Sequence, residues 1–277
     1  MRNPESFLIR KEAREGFSHP RLREAYHRAE TILAESAIDM DAFIDPYGAE
    51  NVQRDKDYIQ KVERSPQFIP PSEDALLLEA VMADQIELSD WMGPETFTQK
   101  TSRFDDIVNG TDLIAELKEH RAHLGLAINV TFGASQIGRK LSKIRGHLLD
   151  NRMGTIKYFL SENSDFQGRL MRIPQIVVGV EEKIVRELGV AWITKQHKIL
   201  AEHPIQKLII TEIVSQLDAQ IAFAQANHLE QSTLATLTRT REIMGSILKE
   251  KNNVPLETLA DDRVYNEIEN QTLAIFR

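Results

Sequence analysis

Apolar residues in the first third of the chain recur at helical spacing and are interrupted by proline and glycine. After Pro20, Leu22, Ala25, Tyr26, Ala29, Ile32 and Leu33 follow at offsets of three and four. This predicts a helix that opens on proline, where the missing N–H costs nothing. Pro46-Tyr47-Gly48 breaks the pattern, and Ile69-Pro70-Pro71 makes a stiff extended joint, so a boundary falls near Pro70. Ser72 then caps a helix with Glu73 and Asp74 in its first turn, where carboxylates suit the helix dipole. Leu77, Ala80, Val81, Leu88 and Trp91 form its apolar stripe, and Gly93-Pro94 ends it.

The periodicity changes beyond this point. Residues 96–100 alternate weakly, 111–117 and 124–132 read as strands, and the short 118–123 linker predicts an antiparallel hairpin. Ile137, Leu141, Ile144 and Leu148 return to helical spacing over 135–149; 155–160 and the continuous apolar run 173–180 read as further strands. From residue 181 onward four helices are predicted, at 181–200, 204–227, 229–251 and 255–273. The chain therefore divides into a helical N-terminal segment (1–70), a mixed α/β core (71–180) and an all-helical C-terminal lobe (181–277). Within the core, the order helix-strand-strand-strand-helix-strand over residues 72–160 places a small mixed sheet between helices.

Composition narrows the chemistry. The 277 residues include no cysteine, which excludes disulfides, thiolate metal sites and cysteine nucleophiles. No apolar run is long enough for a membrane span, and the first 14 residues do not form a signal sequence, so a cytoplasmic protein is expected. The net charge of −8 argues against a uniformly basic nucleic-acid coat. Locally the balance reverses: residues 135–160 carry Arg139, Lys140, Lys143, Arg145, Arg152 and Lys157 against Asp150 alone, a net of +5. Such a stretch, centred on 139–157, suits a polyanion or forms a solvated helix face.

Candidate chemistry gathers between residues 104 and 143. Asp105, Asp106 and Asp112 surround Asn109-Gly110, a pair that takes positive φ and turns the chain sharply, bringing Asp106 towards Asp112. Converging carboxylates need a cation or a shared proton, and oxygen-only ligands suit Mg²⁺ or Mn²⁺. A turn in which the aspartates cap backbone N–H groups is the alternative. Asn129 and Thr131 share one face of an otherwise apolar strand, so both need hydrogen bonds or a wet cleft. Glu79 and Glu87 on the preceding helix are further candidate carboxylates. His120 and His123 read as exposed linker residues. No Gly-rich phosphate loop, GxSxG elbow or strand-borne GxGxxG is present.

Residues 72–160, and more loosely 173–180, resemble the PD-(D/E)xK nuclease superfamily. The wording FDDIVNGTDLIAEL followed by LGLAINVTF is also similar to a set of uncharacterised bacterial proteins with this layout. The resemblance implies a restriction-endonuclease-like αβββαβ core, with Asp112 as the metal-binding aspartate and Asn129-Val130-Thr131 in the acidic-x-lysine position. Two of the three signature groups are replaced, since asparagine offers a neutral oxygen and threonine no ammonium. Lys140, at the edge of the core-facing stripe of the next helix, takes the role of a migrated lysine that orients water or steadies phosphorane charge, while Lys143 points further towards solvent. The other reading of Lys140 is a stem lying over the core. Three functions are then expected in turn: a Mg²⁺- or Mn²⁺-dependent nuclease, with Asp106, Asp112, Glu79 and Glu87 about the metal and Asp112, Asn129, Thr131 and Lys140 in catalysis; an inactive nuclease-like binding or scaffold protein, with C-terminal helices available for self-association; or a structural protein with an aspartate-shaped turn.

Overall fold

The computed structural model describes residues 20–119, 122–131, 136–254 and 261–277. Helix α1 (Pro20–Ser36) begins on the proline, and its stripe Leu22, Ala25, Tyr26, Ala29 and Leu33 is buried. Gly48, at φ +82°, separates the short helical turn Ile44–Tyr47 from α2 (Ala49–Glu63), the break that Pro46-Tyr47-Gly48 predicts. Helix α3 (Glu73–Leu88) has Ser72 as its N-cap, whose hydroxyl accepts the Ala75 N–H at 3.2 Å. Strands β1 (Thr96–Lys100), β2 (Leu113–Glu119) and β3 (Ala122–Thr131) follow as an antiparallel meander.

Helix α4 (Ile137–Leu149) buries the expected Ile137, Leu141, Ile144 and Leu148. Strands β4 (Gly154–Leu160) and β5 (Gln167–Ile173) then form a separate antiparallel pair, and β6 (Gln175–Gly179) joins the sheet parallel to β3, giving the order β1-β2-β3-β6. Two expectations are corrected here. The fourth strand of the sheet is β6, not residues 155–160, and the predicted strand 173–180 is two strands broken at Pro174, which has no N–H to donate. β5 escapes the periodicity because QGRLMRI alternates exposed polar groups with few apolar ones.

The sheet has two kinds of cover. Leu113, Ala115 and Leu117 of β2 and Leu126, Ile128 and Val130 of β3 enter a large helix-packed core, whereas Ile114 and Ala127 meet Ile156, Phe159 and Ile173 of the β4–β5 pair. This is the two-residue alternation of a sheet buried on both faces. The large core runs from Leu22 of α1 to Phe276 after the last helix, so the three expected segments share one interior. The predicted helix 181–200 is divided: α5 (Glu182–Ile193) ends before a turn that contains Lys195 at φ +57°, and His197–Ala201 follows as a short helical turn. After it come α6 (Ile205–Ala226), α7 (Gln231–Glu250) and α8 (Arg263–Ile275).

Helix α6 seals the outer side of β6. Gln216 both accepts the Val177 N–H (2.8 Å) and donates to the Val177 carbonyl (2.6 Å), Gln220 donates to the Gln175 carbonyl (2.9 Å), and Glu212 accepts the Gly179 N–H (3.3 Å). Four residues of helix rise about 6 Å and two residues of strand about 6.6 Å, so side chains at 212, 216 and 220 keep step with residues 179, 177 and 175. No helix among the described residues is long and apolar enough to cross a membrane.

Candidate functional site

The cleft arises from a difference in strand length. Leu113 of β2 pairs with Ile128, and the Asp112 N–H reaches the Ile128 carbonyl (3.0 Å), but β3 runs on to Thr131 alongside β6 only. Side chains close the side of β3 that β2 has left. Asp112 Oδ2 accepts the Val130 N–H at 2.7 Å, and Lys140 Nζ of α4 donates to the Val130 carbonyl at 2.7 Å while standing 3.8 Å from Asp112 Oδ2. Here opens a cavity of about 810 Å³ whose lining includes Glu79, Asp106, Asp112, Asn129, Thr131 and Lys140.

The Asp105–Asp112 segment splits its carboxylates between the two roles the sequence leaves open. Residues Asp105–Asn109 form one wide helical turn that closes on Gly110 at φ +70°, the positive φ expected of Asn-Gly. Asp105 is fully buried and faces away from the cleft; it accepts the Lys157 and Tyr158 N–H groups (2.7 and 3.0 Å), the Ser102 hydroxyl (2.7 Å) and the Asn109 amide (2.5 Å). It is a structural capping aspartate. Asp106 and Asp112 line the cavity.

A cation that the sequence reading missed sits among the acids. Lys100 Nζ, at the end of β1, lies 2.6 Å from Glu79 Oε1 and 3.1 Å from Asp106 Oδ2; its side chain is 10% exposed. Asp106 also binds Arg103 Nη1 at 2.9 Å, and Arg103 Nε binds Glu63 at 2.8 Å. Burial opposes the charge on Lys100, but Glu79, Asp106 and Asp112 outweigh it and hold the ammonium protonated above its ordinary range. Burial pushes the Asp112 carboxyl up, and Asp106 adds to this, against Lys140, Lys100 and the Val130 N–H. Burial likewise raises Glu79, with Asp112 and Asp106 adding and Lys100 opposing. The signal for Lys100 was present in the sequence: it follows Thr96 and Thr98 on the buried side of β1, and a charge on that side must meet a partner.

The remaining candidates are placed unevenly. Asn129 and Thr131 are buried on one side of β3, and Asn129 donates to the Ile176 carbonyl at 3.3 Å. Glu87 does not line the cavity; two turns along α3 from Glu79, its Oε1 accepts the Thr98 N–H of β1 at 2.8 Å, so the helix that carries both acids aims only one at the cleft. Lys143 is exposed, nearer solvent than the half-buried Lys140, and stands at the cavity mouth, 3.5 and 3.4 Å from the Val108 and Asn109 carbonyls. Burial, then Arg139 and Lys140, lower its pKa. His120 lies outside the described residues, as does the side chain of His123.

The +5 stretch does not form one surface. Arg139, Lys140 and Lys143 share the cleft-facing side of α4, but Arg145 lies over the Phe223 ring (4.9 Å), Arg152 pairs with Asp150, and Lys157 pairs with Asp55 amid Tyr47, Phe104 and Tyr158. Helical periodicity sends residues 139, 140 and 143 one way and 145 another.

The donor set tests the implied divalent ion. Three carboxylates and an amide oxygen are the right atoms for Mg²⁺ or Mn²⁺. Most of their charge is already met, however, since Lys100, Arg103 and Lys140 stand against Glu79, Asp106 and Asp112, with Arg103 shared with Glu63. Among the described residues no group of three or more His, Asp or Glu side chains is arranged to hold a metal. The Lys100 ammonium lies between two of these carboxylates, where an ion would have to displace it. No family model, no curated protein and no solved structure matches the chain.

Proposed function

We propose that the cleft binds the phosphate backbone of a nucleic acid strand on a nuclease-like core, the inactive binding form of the PD-(D/E)xK resemblance. One observation carries this reading: the cleft acids are all engaged by cations, whereas Arg139 and Lys143 stand on the same wall without a carboxylate partner among the described residues. Phosphate diesters would supply the missing negative charge. Phe68, Ile69, Pro70 and Pro71 line the same cavity and offer apolar surface for sugars and bases, and Ile69 is 78% exposed. The test is anisotropy of labelled single- and double-stranded DNA and RNA in EDTA. Arg139→Ala/Lys143→Ala should weaken binding and reduce the salt slope by roughly one per charge removed. Wild-type protein that binds none of these strands at low salt sinks the reading.

A second reading, Mg²⁺- or Mn²⁺-dependent phosphodiester hydrolysis, is favoured by the shared cavity of Glu79, Asp112, Asn129 and Lys140. Cleavage that appears with Mn²⁺ and is lost in Asp112→Asn would establish it; intact substrates across salts and both metals would remove it.

A further inference from the structure

We propose that Lys100 is a built-in counter-cation that takes a divalent ion's place among Glu79, Asp106 and Asp112, so that the cleft engages phosphate without a metal. This deepens the strand-binding reading and rests on its assignment of the cleft, but concerns different residues from those that would grip the strand.

The argument begins with the main chain. Lys100 ends β1, where its carbonyl accepts the Ile38 N–H at 3.3 Å and its residue pairs with Leu113 of β2. The Cα is thus fixed one residue pair from the cleft floor, and Thr96, Thr98 and Lys100 all turn to the buried side. The ammonium ends 2.6 Å from Glu79 and 3.1 Å from Asp106.

The contact to Asp106 is a hydrogen bond from the ammonium and the contact to Glu79 a close ion pair. A Mg²⁺ ion demands oxygens at about 2.0–2.1 Å in near-octahedral array, so the same oxygens cannot serve the ammonium and the ion together. Charge gives the same answer. With Lys100, Arg103 and Lys140 set against Glu79, Asp106, Asp112 and Glu63, an added divalent ion would leave its hydration shell for a cluster with at most one formal negative charge left over. Removal of the ammonium would leave Glu79 and Asp106 close together with Asp112 nearby, an arrangement that only a cation or protons can stabilise. Lys140 cannot replace it, because its Nζ is tied to the Val130 carbonyl.

The experiment uses the full chain, without nucleic acid, and Mn²⁺ as the probe, followed by electron paramagnetic resonance and calorimetry. Lys100→Met should bind one Mn²⁺ at least about tenfold more tightly than wild type. Lys100→Arg should stay as weak as wild type, and Lys100→Met/Asp112→Asn should lose the gain. Wild type that binds Mn²⁺ as tightly as Lys100→Met, or no gain in Lys100→Met, overturns the proposal. Thermal melting covers a variant that folds poorly. Mn²⁺, but not NaCl of equal ionic strength, should raise the melting temperature of Lys100→Met, and a midpoint that Mn²⁺ leaves unmoved counts against the proposal. Failure of strand binding in EDTA leaves this result untouched, and failure here leaves strand binding untouched.

Discussion

Asp112 holds Val130 by its backbone: the carboxylate Oδ2 accepts the Val130 N–H at 2.7 Å just where β2 has ended and β3 continues. The side chain therefore does the work of a missing strand, which separates its structural from its functional contribution. Asp112→Ala should lose about 1–3 kcal/mol in urea unfolding, because a half-buried N–H is left without its acceptor. Asp112→Asn, which keeps an acceptor oxygen, should retain most of that stability. Equal losses in the two variants would mean that charge, not the Val130 contact, is what Asp112 contributes.

Glu212 extends the glutamine ladder of α6 but is an acid. It is fully buried, its Oε1 has no hydrogen-bond partner among the described residues, and burial raises its pKa well above 4.5, with Asp262 and Glu269 adding to this. The folded chain thus keeps a proton that the unfolded chain releases. The stability this proton supports is complete below about pH 4.5 and falls as pH rises from there through the folded value, by ~1.4 kcal/mol per unit of raised pKa in all. Glu212→Gln, which keeps an oxygen for the Gly179 N–H, should flatten this decline and melt higher than wild type at pH 8. Parallel pH profiles for the two proteins would contradict the assignment.

Asp105 gathers four donors from three parts of the chain. Asp105→Ala should cost at least roughly 3 kcal/mol, since several buried donors lose a charged acceptor together. Asp105→Asn should be intermediate, its amide nitrogen being a donor where an acceptor is needed. Chemical denaturation with both variants checks the order, and a cost below 1 kcal/mol for the alanine variant would discredit the hub.

Gly110 stands at φ +70°, and a Cβ there would lie 3.1 Å from Lys143 Nζ. The lysine tip is flexible and can give way, so the backbone supplies most of the strain. Gly110→Ala should lower stability by about 1–2 kcal/mol and Gly110→Asn by less, because asparagine tolerates the left-handed region. Displacement of Lys143 should also weaken strand binding in Gly110→Ala. Thermal melts and anisotropy of the same preparations test both effects.

Local rules carried much of this architecture. The Ser72 cap, the four-residue stripe of α4, the turn at Asn109-Gly110 and the β2–β3 pairing each follow from neighbours a few residues apart. Long-range choices did not follow. Nothing local tells β4 to pair with β5 rather than enter the sheet, and Pro174 divides an apolar run that reads as continuous. In the cleft, Glu79, Asp106, Asp112, Asn129, Thr131 and Lys140 line one cavity, and Glu87 does not. Lys100 was overlooked because its partners lie 21 residues before it and six after, on elements whose mutual placement no periodicity reports.

The stitching along both margins of the sheet bears on assembly. Gln216, Gln220 and Glu212 occupy backbone groups of β6, and Glu87 and Ile38 occupy the Thr98 N–H and Lys100 carbonyl of β1. Two copies of the chain therefore have little free main chain there with which to template one another. Fibril-like growth by strand addition along this sheet would first have to unfasten these side chains.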